Sequence, residues 1–297
     1  MLKRFSINKI IKMTLLLFVL FLMYLFPSKK IYTLNTMNVS SSNYHDIFLL
    51  DNNNYVSKTT IAVKSIEKEK LAYDLLESLI INSNNKNKLP NSFKAVIPEK
   101  VIINNIIIKN EHIVVDFSKD IINENKNKEK MIECIVYTLT SISNIKYVNI
   151  IVDGNKNDYF REEYTRGMGI NKDIELFSLN DINVVTIYYV SKNNDINYYI
   201  PVTKYINSND DKIRIIIDEL SSKSSYESNL MSYLNYDTKL INYTIDDKDM
   251  NLYFNNSILN SDEDNKILEE VIYSISYSIK DSYEVSNIHF YVNDKEI

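Results

Sequence analysis

The sequence predicts an α+β fold of two small tandem domains behind an N-terminal transmembrane helix. Each domain is expected to be a mixed β-sheet with two helices packed on one face. Three observations lead to this prediction: a hairpin pattern that occurs twice, helical stripes that accompany each copy, and an apolar run near the start of the chain. The length of 297 residues also fits about two domains.

The first 30 residues carry six basic side chains and no acidic one around the apolar run. Residues 10–26 are at the short end of the length that spans a bilayer. No small-residue cleavage motif follows them, so a retained anchor is favoured over a cleaved signal peptide, the alternative. Four basic residues precede the apolar stretch 13–26, among them Lys12, and two follow it, which places the N-terminus in the cytoplasm. We therefore expect a single-pass protein of the cell membrane with its C-terminal domains outside the cytoplasm.

The rest of the chain divides into a tether at 31–45, a first domain at 46–154, a connecting segment at 155–183 and a second, divergent domain at 184–297. Each domain has the order strand, extended segment, helix, strand, strand, helix, strand. Matching elements lie 137 to 140 residues apart. The connecting segment contains two of the three glycines, but the apolar residues 174–179 predict that part of it packs on a domain.

The duplicated hairpin is the clearest signal in the chain. Residues 101–121 and 238–258 align without a gap, and their apolar positions coincide. Apolar residues alternate along the returning strand of each copy, at Ile113, Val115 and Phe117 in the first and at Met250, Leu252 and Phe254 in the second. A period of two places one face of a strand on a core, so both segments are predicted to be β-hairpins.

Two amphipathic helices are predicted in each domain from apolar residues at helical spacing. The four stripes are Leu71, Leu75, Leu76, Leu79 and Ile80; Met131, Ile135, Leu139 and Ile142; Ile213, Ile216, Ile217 and Leu220; and Leu268, Ile272, Ile275 and Ile279. Helices of this length are not stable alone, so these stripes must be buried against the strands.

Charge restricts the partners. After residue 30 the chain has 28 basic and 39 acidic residues, a net charge of −11. An acidic ectodomain is a poor ligand for nucleic acid and is repelled by anionic lipids and anionic wall polymers.

The sequence shows no recognisable catalytic, cofactor-binding or metal-binding residues. The three histidines do not have the spacing of a metal pair, and three glycines cannot form a phosphate-binding loop. Cys134 is the only cysteine and is expected to lie in a helix core. We therefore predict that the protein is not an enzyme and uses no cofactor.

Tyrosine is concentrated in the second domain, which has 14 of the 23 tyrosines. We predict a partner-binding face there, formed by Tyr188, Tyr189, Tyr198, Tyr199 and Tyr205. Neighbouring strand residues point to opposite faces, so one member of each adjacent pair is expected to be exposed. The alternative is that tyrosine simply follows the codon bias of an AT-rich genome, as asparagine, lysine and isoleucine do.

Several segments together resemble the GerM domain of sporulation and spore germination proteins. They are Ala95 to Lys100 with its Ile-Pro pair, Val115 to Ser118 at the end of the hairpin, Tyr137 to Thr140 in the second helix, and Val148 to Val152 followed by Asp153 and Gly154. The second copy departs from this pattern, with Tyr253 in place of Asp116 and Asn293-Asp294 in place of Asp153-Gly154.

The resemblance implies a non-catalytic envelope protein that acts in sporulation, with domains similar to the ring-building modules of secretion-type assemblies. Its partners would be other membrane-anchored envelope proteins or further copies of itself. An envelope enzyme or a protein that binds a cell-wall polymer is the alternative function.

Overall fold

The computed structural model describes residues 43–85, 87, 89–90, 92–123, 127–171, 182–193, 196–207, 209–222, 230–260 and 266–297. Residues 42–297 form one compact unit. The predicted anchor at 10–26 lies outside the described residues. Within the part of the chain that is described, no helix has the length and apolar character needed to cross a membrane.

The first domain follows the predicted element order. Its elements are β1 Asn43–Leu50, β2 Val56–Val63, α1 Lys68–Leu79, β3 Ile103–Lys109, β4 His112–Phe117, α2 Lys128–Leu139 and β5 Tyr147–Val152. Strand β1 begins three residues before the expected start of the domain, inside the predicted tether.

The second domain repeats this order and adds a short final strand. Its elements are β6 Ile182–Asn193, β7 Ile196–Asn207, α3 Lys212–Ser221, β8 Leu240–Asp246, β9 Asp249–Phe254, α4 Glu269–Ser282, β10 Asn287–Val292 and β11 Lys295–Glu296. Both predicted hairpins are confirmed, because β3 pairs antiparallel with β4 and β8 pairs antiparallel with β9.

The prediction of one mixed sheet in each domain is wrong, because each domain has two sheets. Strands β1 and β2 form a separate antiparallel ribbon, as do β6 and β7. The mixed sheet contains β3, β4 and β5 in the first domain and β8 to β11 in the second, with a parallel pair between the hairpin and the strand after the second helix.

In each domain a helix hydroxyl accepts a hydrogen bond from a backbone N–H at the free edge of the ribbon. A third strand would need this N–H in order to pair at that edge. The backbone N–H of Phe48 in β1 donates to the hydroxyl of Thr138 in α2 at 3.0 Å. In the second domain the N–H of Tyr188 in β6 donates to the hydroxyl of Ser278 in α4 at 2.9 Å. The same edges also form backbone bridges, Leu50 with Lys94 and Val190 with Met231, so their polar groups are satisfied outside the mixed sheet.

Two hydrophobic cores fill the domains. The alternating apolar residues of β4 belong to the first core and those of β9 to the second, and all six side chains are buried as predicted. Cys134 is also buried in α2, and burial raises the pKa of its thiol. The two hairpins even share a bulge, between Ile103 and Asn105 and between Leu240 and Asn242. Their residues therefore correspond one to one.

Candidate interaction site at the domain interface

The tyrosines of the ribbon β6–β7 are less exposed than predicted. Tyr188 and Tyr189 are both buried, so the expectation that one of the two faces solvent is wrong. The ribbon is covered on both faces. Tyr189 belongs to the second core, whereas Tyr188 packs against Tyr277 with 5.5 Å between ring centroids.

The other predicted pair is also mostly covered. Tyr198 is buried and meets Phe93 of the first domain edge to face, at 5.5 Å between centroids. Tyr199 is half-buried against Tyr273, and burial raises the pKa of its phenol. Tyr205 is half-buried as well. A partner-binding role stays a prediction for Tyr199 and Tyr205, and it does not fit the burial of the other three.

The connecting segment is part of the first domain up to Asn171, the last residue described before 182. Phe160 and Tyr164 are buried in the first core. Tyr164 forms two backbone hydrogen bonds with Val148, which covers the outer edge of β5. The apolar residues 174–179, which were predicted to pack on a domain, lie outside the described residues.

Arg166 in this segment contacts both domains. Its guanidinium lies over the ring of Tyr137, 4.8 Å from the centroid, and its Nε donates to the hydroxyl of Thr140 at 2.9 Å. The same guanidinium forms an ion pair with Asp281 at the end of α4. The Asp281 side chain is only 6% exposed, so the pair is largely removed from water. Arg166 therefore bonds α2 of the first domain to α4 of the second.

The phenol of Tyr137 is held in the same contact. Its hydroxyl donates to the backbone carbonyl of Arg166 at 3.1 Å. Burial raises the pKa of Tyr137 to about 12, and the nearby Arg166 charge opposes part of this rise. The phenol is therefore a neutral hydrogen-bond donor at physiological pH.

Asn171 forms the second contact between the domains. Its side-chain oxygen accepts from the Val56 N–H at 2.8 Å and from Lys130 at 2.8 Å. Its amide nitrogen donates to the carbonyls of Val56 in β2, at 2.6 Å, and of Pro201 in β7, at 2.8 Å. Its backbone N–H donates to the buried carboxylate of Glu133 at 3.2 Å. One asparagine thus bridges the two ribbons.

The interface contains equivalent aromatic pairs from both domains. Phe48 and Tyr137 meet at 5.4 Å between centroids, and Tyr188 and Tyr277 occupy the corresponding positions at 5.5 Å. A cation lies over the tyrosine of each pair, Arg166 over Tyr137 and Lys58 over Tyr277 at 4.3 Å. Each ribbon therefore presents the same face to the other domain.

An open cleft of about 820 Å³ lies along this interface. Residues of both domains line it, and five basic and three acidic side chains are among the described ones: Lys58, Lys146, Arg166, Lys248 and Lys280, and Asp46, Asp281 and Glu284. Several are paired, for example Lys58 with Asp46 at 2.8 Å. Lys248 and Lys280 are exposed at the cleft, which makes it locally basic on an acidic protein. No group of metal-ligating side chains occurs among the described residues.

Apolar side chains are exposed on the edge strands of the mixed sheets. Strands β3 and β8 lie at the ends of their sheets. Ile107 on β3 and Ile241 and Ile245 on β8 are exposed. Such edges can pair with a further strand.

The residues that join the domains were missed in the sequence. Arg166 lies in a segment that the sequence pattern predicts to be a connection, and Asn171 is one of many asparagines in the chain. The one available signal was the concentration of Gly167, Gly169, Arg166 and Asn171 in a short segment between two repeats.

The chain is similar to known sporulation proteins over most of its length. The family model for Germane, described as sporulation and spore germination, matches residues 46–158 and 186–297. The spore germination protein GerM of Bacillus subtilis (strain 168) is 32% identical over 283 residues, which cover 90% of this chain and 76% of that protein. The solved structure of the tandem GerMN domains of the B. subtilis sporulation protein GerM is 30% identical, with a TM-score of 0.75, and covers 86% of this chain and 92% of that one.

The overall fold thus agrees with that of the solved tandem domains over most of the chain. The family match includes the second, divergent copy, which in the sequence was supported only by the internal alignment. The chain therefore belongs to the Germane family of sporulation and spore germination proteins.

Proposed function

We propose that this chain is a non-catalytic, membrane-anchored envelope protein that acts in sporulation or spore germination as an assembly factor for a protein complex. Residues 10–26 would be the anchor, and the two domains would act outside the cytoplasm on other membrane-anchored proteins or on further copies of the chain. The relationship to a spore germination protein supports the biological process.

The observation that carries the assembly role is the fixed interface between the two domains. Arg166 and Asn171 connect the domains through buried ion-pair and hydrogen-bond contacts. Buried polar networks of this kind favour one arrangement because any other leaves polar groups unsatisfied. A partner that binds both domains therefore meets two surfaces at a defined separation, as an assembly factor requires.

The surfaces that remain open suit protein partners. The ribbons are used for the contact between the domains, whereas edge strands β3 and β8 keep exposed isoleucines. The locally basic cleft adds a polar groove between the domains. Partner segments can add to a strand edge through backbone hydrogen bonds while side chains provide specificity.

Asn171→Ala tests this proposal without touching either core. It removes the bridge between Val56 and Pro201 while the Arg166–Asp281 pair remains, so we expect the contact between the two ribbons to loosen while each domain stays folded. Recovery of partner proteins with the full chain from detergent extracts of sporulating cells should then fall about tenfold, because a partner that uses both domains loses their fixed spacing. Asn155→Ala, an exposed asparagine in the same segment, is the matched control and should leave recovery unchanged.

Loosening of the contact between the ribbons is checked independently by hydrogen exchange at β2 and β7, which should increase in Asn171→Ala only. Full partner recovery despite faster exchange at β2 and β7 would refute the assembly role as stated. The same would follow if the wild-type chain recovered no envelope protein at all.

A further inference from the structure

The second domain has a hollow of about 370 Å³ on the outer face of its mixed sheet. The described residues around it include Asn242, Tyr253, Phe254, Tyr291, Asn293 and Asp294. The rings of Tyr253 and Tyr291 stack across the parallel strands β9 and β10, with 5.0 Å between centroids and an angle of 22°. Both tyrosines are half-exposed, while Phe254 beside them is buried in the core.

The first domain has different residues at the same place. The strand registers pair Asp116 with Ile151 where the second domain pairs Tyr253 with Tyr291. In the first domain the carboxylate of Asp116 accepts a hydrogen bond from the backbone N–H of Gly154 at 2.9 Å, so this acid is used to hold the turn. The second domain has no acid at that position and presents an aromatic ring instead.

The turn itself is the same in both copies. Asp153 and Gly154 have positive φ angles of 46° and 78°, and Asn293 and Asp294 have 51° and 61°. Asp294 thus adopts a left-handed conformation that glycine tolerates better. The second copy therefore differs from the first at three places: the end of β9, the end of β10 and the turn. These places surround one hollow, although β9 and β10 are distant in sequence.

The side chains around the hollow define the ligand. Two aromatic rings offer apolar surface, two asparagine amides can donate and accept hydrogen bonds, and Asp294 can accept them. The described residues that line the hollow include no cation, and the net charge of the chain after residue 30 is negative. An anionic ligand is therefore disfavoured.

A sugar ring has the matching chemistry, because its C–H face is apolar and its rim of hydroxyl and amide groups is polar. Apolar contact with aromatic side chains combined with a few placed polar groups is the general composition of ligand sites. We propose that this hollow binds a neutral sugar residue of a glycan chain. The second domain would then hold the protein on an envelope glycan while other surfaces bind proteins.

The test replaces the two tyrosines by the residues of the first domain, Tyr253→Asp together with Tyr291→Ile. The fold of the first domain accommodates both residues at these positions. Binding of soluble N-acetylglucosamine oligomers to the full chain in detergent is measured by titration calorimetry, with Tyr236→Ser, an exposed tyrosine outside the hollow, as control. We expect the double variant to bind about tenfold more weakly and the control to bind like wild type.

A second measurement does not depend on the variant. Hydrogen exchange of the wild-type chain should slow at 249–254 and 287–292 when the oligomer is added. The proposal would be overturned if the oligomer did not bind, or if it slowed hydrogen exchange at other segments. It would also be overturned if a folded double variant bound the oligomer as tightly as wild type. An extended peptide is added in a parallel experiment. If the peptide slows hydrogen exchange at β8 only, and the sugar slows exchange nowhere, the proposal is overturned in favour of strand addition. Stronger binding of poly(glycerol phosphate) than of the neutral oligomer would overturn the neutral specificity.

Discussion

The guanidinium of Arg166 is paired with the carboxylate of Asp281, so the segment that leaves the first domain is bonded to the last helix of the second. The position equivalent to Asp281 in the first domain is Ser141, whose hydroxyl donates to the Asp46 carbonyl at 3.0 Å. The acid is therefore a feature of the second copy alone. The repeat has diverged at this position in a way that lets the two domains bind each other.

Asp281→Ala should destabilise the chain by about 3 kcal/mol, because it leaves the Arg166 charge without its acidic partner in a largely buried contact. The double variant Arg166→Met with Asp281→Leu should recover part of this loss, since it removes both charges. Chemical denaturation of the full chain measures the change. Glu162→Gln, which removes an exposed ion pair with Lys156 in the same segment, is the control and should have little effect. A small effect of Asp281→Ala would show that the pair does not hold the interface.

Phe117→Asp and Phe254→Asp should each unfold their own domain more than the other. The two rings occupy equivalent positions, and each is buried in a separate core. Burying an unpaired carboxylate costs several kcal/mol. Hydrogen exchange resolved by segment distinguishes the domains, with the Phe→Leu variants as conservative controls. Equal loss of protection in both domains would mean that the interface makes them fold as one unit.

The chain should lose stability at alkaline pH as its buried tyrosines ionise. The pKa of Tyr137 is raised from 10.0 to about 12 by burial, so the unfolded chain releases this proton first. The contribution of this phenol to stability is fully present below pH 10 and is lost as the pH rises towards 12. Burial raises the pKa values of Tyr188 and Tyr199 as well, and they act in the same direction.

The measurement is the melting temperature as a function of pH. Tyr137→Phe should have a smaller slope above pH 10, although it starts from a lower stability because it loses the hydrogen bond to the Arg166 carbonyl. Tyr44→Phe, at an exposed position, should retain the wild-type slope. An unchanged slope in Tyr137→Phe would assign the alkaline transition to other groups.

Residues 10–26 are predicted to span the membrane once, with the N-terminus in the cytoplasm and the C-terminal domains outside it. External protease should remove the C-terminal domains from intact protoplasts, while a cytoplasmic marker protein stays intact. The basic residues around the apolar run are the reason for this orientation. A C-terminus that resists protease until the protoplasts are lysed would reverse the prediction.

Local patterns in the sequence were sufficient for the elements of the fold. The alternation of Ile113, Val115 and Phe117 identified a strand with one buried face, because side chains on a strand point to opposite sides whatever surrounds it. The helical stripes likewise identified helices, because residues three and four apart lie on one face of a helix. The equal spacing of the apolar positions in the two hairpins identified the repeat. Each of these signals depends on neighbours along the chain.

The arrangement of those elements was decided by contacts between distant residues. The free edge of the ribbon β1–β2 bonds to the hydroxyl of Thr138, 90 residues away, and to the backbone of Lys94, and neither contact belongs to the mixed sheet. Tyr188 is buried because Tyr277 in α4 of the same domain packs against it at the interface. The periodicity of a strand does not show which of its faces other elements will cover, so Tyr188 and Tyr189 are both buried although they point to opposite faces.

The sequence by itself determined a tandem α+β chain that is acidic after residue 30, and it supplied the resemblance to the GerM domain and the prediction of one anchor. Only the tertiary structure decided that Arg166 and Asn171 join the domains and that Tyr253, Tyr291 and Asp294 surround one hollow. Hydrophobic patterns are repeated many times along an element and so survive substitution at single positions. A polar bridge or a ligand site depends on a few side chains brought together by the fold, and the sequence gives each of them the appearance of an ordinary surface residue.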